Sequence, residues 1–129
     1  MHFKRKIYDK MLQWKKQSNG ETALLIEGAR RVGKSTVVQQ FAENEYKSFV
    51  IIDFANASKA ELELFEDISN IDMFFTRLKL LKSIVLHEHD SVIVFDEVQM
   101  FPPARQAIKY LVKDGRYDYI ETGSLISID

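Results

Sequence analysis

The sequence predicts a three-layer α/β/α domain built on a parallel sheet, and three observations carry that expectation. Apolar runs of strand length alternate with segments whose apolar residues recur at helical spacing, the pattern of a sheet covered on both faces. A glycine-bounded loop, Gly28 to Ser35, separates the first such run from the helix that follows it. A later run, Val92-Ile93-Val94-Phe95, ends on two acids, Asp96 and Glu97. With 129 residues, 46% of them hydrophobic and 29% charged, the chain suits one domain with its own core.

The elements follow in order. Residues 3–17 place Phe3, Ile7, Met11 and Trp14 at helical spacing among lysines, and Ser18-Asn19-Gly20 ends that helix with turn chemistry. Thr22–Glu27 is a short apolar run, expected to be a buried strand. Val37, Val38, Phe41 and Ala42 then mark one face of a helix to about residue 44. Residues 48–54 are β-rich and form the second strand. Ser58-Lys59-Ala60-Glu61 is a capping box that opens a short helix to about residue 66. Ile71, Phe74, Phe75, Leu78, Leu81 and Val85 mark the inner face of a longer helix ending near residue 86. Residues 91–96 are the third strand. Pro103 opens a helix with Ala104, Ala107, Ile108, Leu111 and Val112 inward, and Asp114-Gly115 ends it. Residues 117–122 are the fourth strand.

Composition narrows the function classes. A formal net charge of −1 gives no global argument for nucleic acid or an anionic membrane. The absence of cysteine excludes disulfides, Cys–zinc sites and thiol catalysis within this sequence. No apolar run approaches the ~20 residues that span a bilayer, and no apolar stretch follows the basic N-terminus as in a signal peptide. The cytoplasm is the expected compartment.

Gly28-Ala29-Arg30-Arg31-Val32-Gly33-Lys34-Ser35 fits G-x-x-x-x-G-K-[S/T], the phosphate-binding P-loop or Walker A motif. Gly28 and Gly33 let the backbone bend so that successive N–H groups point at phosphate oxygens. Lys34 brings an ammonium to the β- and γ-phosphates, and the Ser35 hydroxyl is a ligand for Mg²⁺. Strand, loop and helix in this order aim a helix N-terminus at an anion.

Asp96, at the end of a buried strand, is the counterpart that holds Mg²⁺ beside the P-loop hydroxyl. Glu97 next to it is placed to orient and deprotonate a water attacking the γ-phosphate. In an α/β sheet, ligands sit outside the carboxyl ends of the strands, which also brings Thr122-Gly123-Ser124 to this edge. A hydroxyl there serves to hold the water or the γ-phosphate, or else is part of an ordinary turn. Arg30 and Arg31 lie within the loop, where variable positions are often only solvated. Arg105 and Arg116 are weak candidates for arginine fingers. His87-Glu88-His89-Asp90 has metal-like composition but poor ligand spacing, so a solvated loop is expected. Lys4, Arg5, Lys6, Lys10, Lys15 and Lys16 suit the wet face of an amphipathic helix better than a nucleic-acid surface.

Taken together, Gly28–Thr36, Phe95-Asp96-Glu97-Val98-Gln99 and Ile120-Glu121-Thr122-Gly123-Ser124 resemble the AAA+ branch of P-loop ATPases. They resemble most a prokaryotic family with a GARxxGKS/T loop, a DEVQ Walker B segment and a TGS strand end. The resemblance implies Mg²⁺-dependent binding and hydrolysis of ATP. It implies Gly28, Ala29, Arg30, Arg31, Val32, Gly33, Lys34, Ser35 and Thr36 as the nucleotide loop and Asp96 as the Walker B aspartate. Glu97 would be the catalytic base, and Thr122 the sensor, with Ser124 the alternative. It also implies a longer protein, because such proteins continue into a fifth strand, a helical lid and a C-terminal domain. The sequence is therefore expected to be the N-terminal part of an ATPase, with weak turnover alone. Its sheet order is expected to be 2-3-4-1, with an edge at the P-loop strand that invites self-association and is either exposed or covered by the N-terminal helix or a second copy. The competing expectation is a nucleotide-dependent binding switch with little turnover, and a less favoured one is a phosphotransferase.

Overall fold

The structure is a computed structural model that describes residues 2–28 and 33–124, with only the backbone described for His2 and Phe3. Its elements are α1 (His2–Ser18), β1 (Leu24–Gly28), α2 (Lys34–Glu45), β2 (Ser48–Asp53), α3 (Lys59–Glu63), α4 (Ile71–Lys82), β3 (Ser91–Asp96), α5 (Pro102–Asp114) and β4 (Asp118–Ser124), with a 3-10 turn at Val98–Met100. Among the described residues the sheet has four strands in the order β1-β4-β3-β2, the order expected from the sequence. Every pairing is parallel.

Strand parity divides the core. Val92, Val94 and Ile120 turn toward α1 and α2, where they meet Met11, Val37, Val38 and Phe41. Ile93, Phe95 and Tyr119 turn the other way, onto α4 and α5. On that second face Phe54, Phe65 and Phe95 form a triangle of tilted and edge-on rings with centroids 5.5 to 5.6 Å apart. Each such pair contributes ~0.5–1.5 kcal/mol beyond its buried area. β3 is buried on both faces from Ser91 to Phe95, which is why it reads as an uninterrupted apolar run.

Four expectations need correction. The first strand, expected buried over Thr22–Glu27, runs from Leu24 to Gly28 with one neighbouring strand among the described residues, and only its Ile26 is buried. The helix expected to reach residue 86 ends at Lys82. Ser83 adopts a left-handed conformation (φ 52°), donates its N–H to Leu80 O (3.4 Å), and lets Ile84 N–H reach Lys79 O (3.1 Å). That reverse hydrogen-bond pair closes the helix and turns Ile84 back onto the core. Leu81 and Val85, expected inside, are consequently 40% and 67% exposed. The short helix after Ser58 keeps its reciprocal capping box (Glu61 N–H to Ser58 Oγ 3.2 Å, Ser58 N–H to Glu61 Oε1 2.9 Å) but is helical only to Glu63, continuing as tight turns to Glu66. The fourth strand runs past Thr122 to Ser124, because Thr122, Gly123 and Ser124 still pair with Ile26, Glu27 and Gly28 of β1. That extension puts the two hydroxyls of the segment directly beside the start of the glycine loop.

Candidate nucleotide site

Gly33 is the N-cap of α2 and sits at φ 84°, a conformation that disfavours any side chain. A Cβ there would also lie 2.8 Å from Cε of Lys4, so the stem of a lysine from α1 packs against Gly33. Ala29, Arg30, Arg31 and Val32, the middle of the expected nucleotide loop, lie outside the described residues.

Lys34 opens α2 and is 5% exposed, which is rare for a lysine without partners. Its Nζ has two of them. It donates to Ser124 Oγ at 2.8 Å and lies 3.3 Å from Glu97 Oε1. Ser124 Oγ in turn donates to the Glu97 carboxylate, 2.8 Å from each oxygen. Burial alone would raise the Glu97 carboxyl. The hydrogen bonds from Ser124 and Lys34, together with the Lys34 charge, outweigh it and hold Glu97 below the usual carboxylate range.

One residue earlier, Asp96 accepts a hydrogen bond from Ser35 Oγ (3.2 Å to Oδ1). It also accepts a short one from the Thr122 hydroxyl. The Thr122 oxygen receives the Glu97 N–H at 3.0 Å. Lys34 and Ser35 at the start of α2 thus converge with Asp96 and Glu97 at the end of β3 and with Thr122 and Ser124 at the end of β4. Thr36 does not join them; it is exposed on α2 beside Ser35, Gln39, Gln40 and Glu43, lining a cavity of about 320 Å³.

The other candidates lie elsewhere. Arg116 is tied to Asp114 (3.0 Å) and Asp72 and lies over the Phe75 ring, a structural anchor. Arg105 is exposed on α5. Among the described residues no group of three or more His, Cys, Asp or Glu is placed to hold a metal, and His87 and His89 sit in a loop between α4 and β3. An oxygen pair such as Ser35 and Asp96 matches the habit of Mg²⁺. That ion takes one or two protein oxygens and completes its shell with water and phosphate.

Sequence reasoning missed what lies behind β4. Glu121 is 8% exposed on the α5 side, and its Oε1 has no hydrogen-bond partner among the described residues. The Gln99 side chain is likewise without a partner there, with its Oε1 3.3 Å from where a Gly123 Cβ would be. No local signal marks either; Glu121 depends on which face of β4 is covered, and Gln99 on what packs over the turn after β3. Burial pushes the Glu121 carboxyl up, and the charge of Arg105 only partly opposes it. Because its folded value is raised, this carboxyl costs stability as pH climbs above the unfolded value of about 4.3. Glu121→Gln should therefore raise the melting temperature at pH 7 and give no gain below about pH 4. Melts across that range giving an unchanged or lower midpoint at pH 7 would mean that the ionised carboxylate is satisfied in the fold.

A parallel sheet whose edge strand feeds a glycine loop into a helix, with Lys34 and Ser35 opposite two strand-end acids, defines the P-loop class of nucleotide-binding folds. The AAA domain family model matches residues 20–128, and the chain belongs to that family of nucleotide-binding, ATPase-like proteins. Searches of curated proteins and of solved structures found no match. The helix α1 lies before the matched span.

Proposed function

We propose that the chain is a single nucleotide-binding domain, with α1 as an N-terminal amphipathic helix, that binds ATP with Mg²⁺ and hydrolyses it. The observation that supports this most is the convergence of Lys34, Ser35, Asp96 and Glu97, residues up to 63 positions apart, into one hydrogen-bonded group. Gly28 to Thr36 would wrap the phosphates, and Lys34 would neutralise the β- and γ-phosphates. Ser35 and Asp96 would hold Mg²⁺, which offsets the charge of the phosphates when bound. Glu97 would take the proton from the attacking water, and a hydroxyl of β4 would face the γ-phosphate. Thr122 and Ser124 are the two candidates for that position. The compartment we propose is the cytoplasm; among the described residues no helix is long and apolar enough to cross a membrane.

One observation favours the switch reading. The Glu97 carboxylate is engaged by both Lys34 and Ser124 and held below its ordinary range, which weakens it as a base. Calorimetry with ATP, with and without Mg²⁺, tests the binding. Analysis of products separates hydrolysis (ADP and free phosphate) from a switch (bound ATP unchanged) and from transfer to an acceptor. No binding at millimolar ATP would overturn the proposal.

We also propose self-association through β1, whose only strand neighbour among the described residues is β4. Sedimentation velocity should show a species of twice the mass growing with concentration. A monomer at every concentration would refute it.

A further inference from the structure

We propose that Thr122 is a positioning residue that couples the two acids of the site, fixing the Asp96 carboxylate and the Glu97 backbone with one buried hydroxyl, and that Ser124 is the strand-end hydroxyl facing the phosphates. The inference rests on the nucleotide reading above and divides the labour between the two candidate hydroxyls of β4.

A threonine hydroxyl has one proton to give. That of Thr122 goes to Asp96, and its oxygen accepts the Glu97 N–H at 3.0 Å. Thr122 is 0% exposed, so its hydroxyl has neither a free proton nor a path to a phosphate oxygen. Ser124 lies two residues on, on the same face of the strand, and already touches Lys34 and Glu97.

Strand register explains why Thr122 is the one that locks. The β3–β4 pairing stops at Phe95 and Glu121, so Asp96 and Glu97 leave that side of the ladder just where Thr122 comes level with them. The hydroxyl takes over from the backbone there. Glu97 needs that hold, since it sits at φ 55° and ψ 50°, a left-handed conformation that costs a residue with a side chain ~1–2 kcal/mol. Such conformers persist where the surroundings over-determine them. Here the Glu97 N–H goes to Thr122, its carbonyl accepts Met100 N–H at 3.0 Å, and the next residue, Val98, is 1% exposed. One hydroxyl thus sets where the Asp96 oxygens point and which way the Glu97 side chain leaves the backbone.

The test is ATP affinity by calorimetry, with Mg²⁺ and in excess chelator, for wild type, Thr122→Val, Thr122→Ser and Ser124→Ala. Valine keeps the shape and loses the hydroxyl; serine keeps the hydroxyl. Thr122→Val should lose about tenfold of the gain in affinity that Mg²⁺ gives, with affinity in chelator unchanged, and Thr122→Ser should restore it. Ser124→Ala should weaken binding in both conditions. An equal loss with and without Mg²⁺ for Thr122→Val, or no loss at all, overturns the coupling role. If wild type itself binds no ATP, the nucleotide reading fails instead. Should Thr122→Val not fold, hydrogen exchange of the wild-type Glu97 amide decides. Slow exchange at this non-helical, non-ladder position supports the hydroxyl lock, and exchange at the unprotected rate overturns it.

Discussion

Replacing Lys34 with alanine should nearly abolish nucleotide binding while leaving a folded domain. Each hydrogen bond from an ammonium to a charged oxygen is worth ~1.5–3 kcal/mol. If Lys34 serves the β- and γ-phosphates together, its loss should weaken ATP binding by about 10²–10⁴-fold. Lys34 also bridges Glu97 and Ser124, so its removal leaves a carboxylate whose side chain is only 12% exposed without its cation. A modest fall in thermal stability should accompany the loss of binding, and a melt of the variant separates that from unfolding. Equal affinities of wild type and Lys34→Ala in a calorimetric titration would remove the basis for placing phosphates at this loop.

Glu97→Gln should separate binding from turnover. Glutamine keeps an acceptor for the Ser124 hydroxyl and for Lys34 but cannot take a proton. Affinity for ATP should stay within a few fold, while the rate of phosphate release should drop by about 10²–10⁴-fold. The same substitution removes a pH signature. Glu97 is held below its unfolded value, so it contributes stability that is full above pH about 4.3 and is lost as pH falls through the folded value. The variant should therefore show a flatter acid limb in its stability curve. A wild-type rate of phosphate release from Glu97→Gln would make the glutamate structural and leave the switch reading in possession.

The central strand β3 was legible because a parallel strand buried on both faces is a contiguous apolar run, Val92 to Phe95. Helix ends were less so. The apolar spacing that is real at Phe74, Phe75 and Leu78 continues by coincidence through Leu81 and Val85, and only the left-handed turn at Ser83 breaks it. At the site, Lys34, Ser35, Asp96 and Glu97 could be picked out because the motif spacing is local and strand ends share an edge. The bonds among them could not. Which hydroxyl of Thr122 and Ser124 meets which acid depends on the register of β3 against β4, and the contact from Thr122 to Asp96 spans 26 positions. Glu121 and Gln99 escaped notice for the same reason: a polar residue in a strand or turn reads as solvated until the helix that covers it is known.

The chain contains one tryptophan, and it lies on α1. Its indole N–H donates to Thr22 O at 3.1 Å, just ahead of β1, and its ring packs at the margin of the core that Met11 shares with α2. Excitation of tryptophan in this protein therefore illuminates a single place, the seat of the first helix against the strand that leads into the glycine loop. Emission wavelength and quenching by iodide become a label-free gauge of that seat. A titration with nucleotide in an ordinary fluorimeter would show whether nucleotide binding is felt by the helix whose Lys4 leans on Gly33.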